Sequence, residues 1–124
     1  MAQPGPDTRP TISTHVLDTG TGRPAAGVHV TLWRLDDGGR PIRMAQALTD
    51  GDGRIRDLLD RPLVAGVYRL EFNLSGARPG EWGEGHDDRF FERLSVDLRV
   101  ADTSRSYHVP LLLAPFSLST YRGS

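Results

Sequence analysis

Residues 93–100 read Arg93-Leu94-Ser95-Val96-Asp97-Leu98-Arg99-Val100, an unbroken alternation of polar and apolar side chains. Period two means a strand with one face on a core and the other in solvent. The same pattern recurs along the chain. Ile12, Thr14 and Val16 share a face opposite Ser13, His15 and Leu17, while Val28, Val30 and Leu32 oppose His29, Thr31 and Trp33. Tyr68, Leu70 and Phe72 set the inward face of a strand from Gly66 to Asn73, and Tyr107, Val109, Leu111 and Leu113 that of one from Ser104 to Leu113. Further strands are expected from Ile42 to Leu48, briefly from Arg54, and from Phe116 to Arg122. Asp36-Asp37-Gly38-Gly39 and Asp50-Gly51-Asp52-Gly53 stand between them as turns, and 18–27 as a loop. The spacing predicts an all-β sandwich of seven to eight strands. Gly76, Pro79, Gly80, Gly83 and Gly85 leave 75–89 a loop with at most one short helical turn.

Pro110 interrupts this regularity, because proline cannot donate to a ladder. It predicts an edge strand or a bulge. His108 and Leu112 share its face, away from the core-facing set, which suggests a subunit interface along this sheet.

Composition narrows the chemistry. A chain of 124 residues, 37% hydrophobic, suits one two-layered domain. Lys+Arg 15 against Asp+Glu 16 argues against a nucleic-acid partner held by phosphate neutralisation. Every Lys/Arg position is arginine, so Schiff-base chemistry is excluded. Without cysteine there are no disulfides, thiolate nucleophiles or Cys-bound zinc. Residues 1–10, with three prolines, read as a disordered leader before a domain at 11–124. No stretch resembles a signal peptide or a membrane span, so a cytoplasmic protein without a membrane partner is expected. The sequon at Asn73-Leu74-Ser75 carries no weight in that setting.

Two motifs fail on inspection. Gly20-x-Gly22-x-x-Ala25 fits a dinucleotide fingerprint, yet Pro24 and a following strand replace the helix N-terminus that would hold pyrophosphate. Asp50-Gly51-Asp52-Gly53 imitates a calcium loop, but Arg54 and Ile55 occupy the next ligand and the required glycine. The four histidines are too widely spaced for a metal site. What remains is His15 and His108, each out of phase with the core residues of its strand. Both can move protons near neutral pH. Arg54 follows a tight turn at the rim, and Tyr121-Arg122-Gly123-Ser124 brings a final strand out into polar groups.

Arg23-Pro24-Ala25-Ala26-Gly27-Val28, Thr49-Asp50-Gly51-Asp52-Gly53-Arg54 and Gly66-Val67-Tyr68 resemble a pattern of turns shared by many prealbumin-like modules. More specific are Thr14-His15-Val16-Leu17-Asp18, Tyr107-His108-Val109-Pro110-Leu111-Leu112-Leu113 and the closing Ser119-Thr120-Tyr121-Arg122-Gly123-Ser124. These are similar to the 5-hydroxyisourate hydrolases, the enzymatic relatives of transthyretin, over residues 12–124. The resemblance implies a transthyretin-like sandwich that opens the ring of 5-hydroxyisourate without a cofactor or metal. It yields 2-oxo-4-hydroxy-4-carboxy-5-ureidoimidazoline in urate catabolism. It further implies a homotetramer with sites in a channel between dimers. His15, Arg54, His108 and Ser124 are the implied catalytic residues, and His15, Arg54, Tyr121 and Arg122 the implied contacts to the purinoid. The alternatives are a transthyretin-like carrier that binds a small ligand without chemistry, and a structural prealbumin-like module of a surface protein.

Overall fold

The computed structural model describes residues 9–75 and 90–124, which form nine strands and, among the described residues, no helix. The strands are β1 (Ile12–Asp18), β2 (Arg23–Pro24), β3 (His29–Leu35), β4 (Pro41–Leu48) and β5 (Arg54–Ile55), then β6 (Gly66–Asn73), β7 (Arg93–Val100), β8 (Tyr107–Leu113) and β9 (Leu118–Thr120). They make two sheets. One runs β2-β1-β8-β9, with β5 also paired to β1; the other runs β4-β3-β6-β7. The loop expected at 75–89 lies outside the described residues except for Ser75, and the leader lies outside them except for Arg9 and Pro10. Arg9 donates from Nη2 to the Leu59 carbonyl at 2.6 Å.

The alternation seen in the sequence sets what is buried. Ile12, Val16, Val30, Leu32, Tyr68, Leu70, Phe72 and Leu111 are all closed to solvent between the sheets. Each such side chain contributes about 1.5–3 kcal/mol of apolar burial. Tyr68 brings a hydroxyl into this layer and donates it to the Val64 carbonyl at 2.9 Å. On β7, Leu94, Val96 and Leu98 face inward but are only half-buried, because β7 has a neighbour on one side alone.

Four expectations are corrected. The loop at 18–27 contains β2, registered Leu17↔Pro24 and Asp18↔Arg23. The strand expected from Ser104 starts at Tyr107, because Asp102 accepts from the Ser104 N–H at 2.9 Å and turns the chain first. The strand expected from Phe116 to Arg122 is three residues long: the turn in which the Ala114 N–H donates to the Ser117 carbonyl at 2.9 Å delays its start, and Pro110 supplies the reason for its end. β8 is not an edge: it lies between β1, to which it runs parallel, and β9. The β9 ladder covers only Leu111↔Thr120 to Leu113↔Leu118. Beyond it Pro110 has no N–H to offer. Its carbonyl takes the Thr120 hydroxyl instead, at 2.7 Å.

Candidate active site

The turn before β5 places Arg54. Asp50 Oδ1 accepts from the backbone N–H groups of Asp52 (2.9 Å) and Arg54 (3.0 Å). The Arg54 hydrogen bond is the main reason the Asp50 carboxyl is held below its usual value. Gly53 closes the turn at φ +74, where a Cβ would collide with the Val16 carbonyl and crowd Pro24 and Ala25. Only glycine permits this approach. Its carbonyl accepts from the Val16 N–H at 2.7 Å, so the turn is stitched to β1. Arg54 then lies directly opposite His15 in the β1–β5 pair.

From there the face extends across the sheet. His15 has Arg54 as its neighbour on one side and Pro110 on the other, while Ser13 stands opposite His108. Directly opposed residues share a face, and Ser13 and His15 are two apart on one strand. Arg54, His15, Ser13 and His108 therefore all belong to the outer face of this sheet, and all are half-buried. Ser13 Oγ meets His108 Nδ1 at 2.8 Å. A cleft of roughly 300 Å³ opens here, lined by Ser13, Thr14, Arg54, Ile55, Arg56 and His108.

Burial, then the positive charge of Arg54, then His15, push the His108 imidazole below its usual value. His108 is consequently neutral at pH 7 and able to accept a proton, with a guanidinium in the same cleft to stabilise negative charge.

The C-terminal residues divide between the two faces. Arg122 places its guanidinium carbon 4.8 Å from the centroid of the Tyr107 ring, on the core-facing side of β8. Its Nε donates to the main-chain oxygen of Ser124 at 3.3 Å. This is not the placement expected of a substrate contact beside the histidines. Alternation along the tail sends Arg122 to the side opposite His108, and the Tyr107 ring is a ready cation platform. Gly123 returns to the outer face, donating its N–H to the His108 carbonyl at 2.7 Å. A Cβ on it would stand 2.7 Å from His108 Cδ2 and 3.2 Å from Pro110. Tyr121 and Ser124 are exposed, and neither side chain hydrogen-bonds to His15 or His108 among the described residues.

Ser13, Asp50, Gly53 and Gly123 were thus not singled out from the sequence as parts of this site. Asp50 and Gly53 are legible as a turn, Ser13 as a neighbour of His15 on the outward face of its strand, and Gly123 as part of the closing Tyr121–Ser124 motif, but none of these signals assigns a role at the site.

The chain matches the HIUase/Transthyretin family over residues 12–123. It is 42% identical over 121 residues to a 5-hydroxyisourate hydrolase of Halalkalibacterium halodurans, covering 91% of this chain and 97% of that one. Among solved structures it resembles the 5-hydroxyisourate hydrolase of Klebsiella pneumoniae, with a TM-score of 0.74 and 36% identity over 93% of this chain and 99% of the other. Sea bream transthyretin in complex with thyroxine aligns with a TM-score of 0.76 at 29% identity, over 90% and 92% of the two chains.

Proposed function

Because the chain belongs to the HIUase/Transthyretin family, we propose that the face carrying His15, Arg54 and His108 hydrolyses 5-hydroxyisourate to 2-oxo-4-hydroxy-4-carboxy-5-ureidoimidazoline, a step of urate catabolism. The supporting observation is the register itself: His15 opposite Arg54, and Ser13 bonded to a His108 kept neutral, on one solvent-facing surface.

In this reading, neutral His108 takes a proton from water as its oxygen adds to the lactam-type carbonyl carbon. Arg54 holds the oxyanion of the tetrahedral adduct. Collapse re-forms the carbonyl and breaks the carbon–nitrogen bond, and the departing nitrogen recovers the proton from the imidazolium. The product carries the new carboxyl group. His15, next to Arg54, binds the polar edge of the purinoid and shares in proton transfer. Tyr121 and Ser124 contact substrate from the tail, and Arg122 secures that tail on Tyr107.

The same face carries Leu17, Pro110 and Leu112 in register across β1 and β8. We assign this apolar strip to the packing of dimers into a homotetramer, with the clefts opening into the channel between them. A non-catalytic carrier is the weaker reading, since relatives at about 40% identity are named as hydrolases.

Absorbance of freshly generated 5-hydroxyisourate tests the proposal. Enzyme at nanomolar concentration should speed its loss well beyond spontaneous decay. Binding without any acceleration would leave the carrier reading in its place.

A further inference from the structure

A histidine acting as a base must have one ring nitrogen free and aimed at substrate, and that depends on what the other nitrogen does. In His108 the other nitrogen is Nδ1, 2.8 Å from Ser13 Oγ. Among the described residues Ser13 Oγ has no second partner and His108 Nε2 has none at all. We infer that Ser13 is a positioning residue, its hydroxyl oxygen accepting the Nδ1 proton of His108 so that Nε2 is left unprotonated toward the cleft.

A serine hydroxyl can donate or accept, so geometry alone allows both tautomers. Charge decides between them. Arg54 lines the same cleft as His108. Its charge acts on the imidazole, and a lone pair on the nitrogen left open to that guanidinium is favoured over an N–H in the same place. The Nδ1–H form is therefore the lower in energy, and Ser13 is its acceptor.

The backbone of the tail runs along the other edge of the ring. Gly123 passes that edge so closely that a Cβ on it would stand 2.7 Å from Cδ2 and 3.2 Å from Pro110, so only a residue without a side chain leaves the imidazole its place. The pairing is set by the parallel register of β1 and β8, which puts Ser13 opposite His108. Held at Nδ1 by Ser13, the ring is oriented before substrate arrives, and reorganisation during reaction is reduced.

The catalytic half of this inference rests on the proposed hydrolase activity; the tautomer half does not. Nitrogen-15 NMR of the imidazoles in wild type should show His108 as the Nδ1–H tautomer near pH 7.5. Ser13→Ala should turn the His108 signal into a mixture of tautomers and lower kcat about ten- to a hundredfold at unchanged KM. Ser13→Thr, which restores a hydroxyl, should recover both. A wild-type Nε2–H tautomer, or a Ser13→Ala variant with unaltered tautomer, overturns the inference whether or not the protein turns over substrate. Full kcat in Ser13→Ala beside an active wild type removes the positioning role and leaves the hydrolase reading standing. An inactive wild type with the expected tautomers removes that reading and keeps the Ser13 assignment.

Discussion

Gly123 is joined to His108 by one hydrogen bond, its N–H donating to the His108 carbonyl at 2.7 Å, and it passes so near the imidazole that a Cβ on it would stand 2.7 Å from Cδ2. The position is exposed, so nothing in the core demands glycine there. Gly123→Ala should therefore leave the melting temperature within about 2 °C of wild type, as expected for a surface change away from the core. The displaced tail or ring should cost roughly 10- to 100-fold in kcat/KM. Deleting residues 121–124 should abolish activity while the sandwich still melts cooperatively. Full activity in either variant would detach the tail from the site.

His15→Asn and His108→Asn should each lower kcat by about two to four orders of magnitude if both move protons. His29 makes a good control, since it lies on the outer face of the other sheet, in β3. Steady-state kinetics of His29→Asn should match wild type. Equal damage in all three would show that histidine loss acts through stability.

The pH profile follows from the direction of the His108 shift. Its imidazole is held below the usual value by burial, Arg54 and His15, so the neutral base survives into mild acid. Activity should stay level from pH 8 downward and fall only below about pH 6.5, as the base protonates. Removing the positive charge in Arg54→Gln should move the midpoint of that fall to higher pH. A midpoint that moves the other way would contradict the placement of the two side chains.

Arg54→Lys separates charge from shape. It keeps the cation but loses the planar fork that binds an oxyanion through two N–H groups, so kcat should fall at least tenfold. Asp50→Ala should produce a milder loss by loosening the turn that carries Arg54. An Arg54→Lys enzyme with wild-type kinetics would make Arg54 an ordinary surface residue.

Leu112→Glu tests the assembly. The proposed interface would bury the new charge without a partner, a penalty of several kcal/mol per site. Light scattering should report a tetramer for wild type and smaller species for the variant, with the cleft's activity reduced alongside. A wild-type monomer at micromolar concentration would remove the channel from the proposal.

How far the sequence carries can be traced residue by residue. Alternation alone placed Tyr68, Leu70, Phe72, Val109 and Leu111 inward and His15 and His108 outward, because side-chain direction in a strand is a property of the strand itself. Turn chemistry likewise marked Asp50 and Gly53. Local rules could not say which strands would be neighbours. That His15 stands between Arg54 and Pro110, and Ser13 opposite His108, follows from β5 and β8 flanking β1 on opposite sides, contacts between residues 39 to 95 positions apart. Pro110 reads as an edge signal in isolation, yet it sits in an internal strand because the ladder beside it simply stops. Alternation carried through the tail also separates Arg122 from the histidines, although they share a motif-rich end of the chain. Period and turn are short-range and were determined by the sequence itself. Strand partnership and register depend on how the two inward faces pack together, and only the tertiary structure decided them.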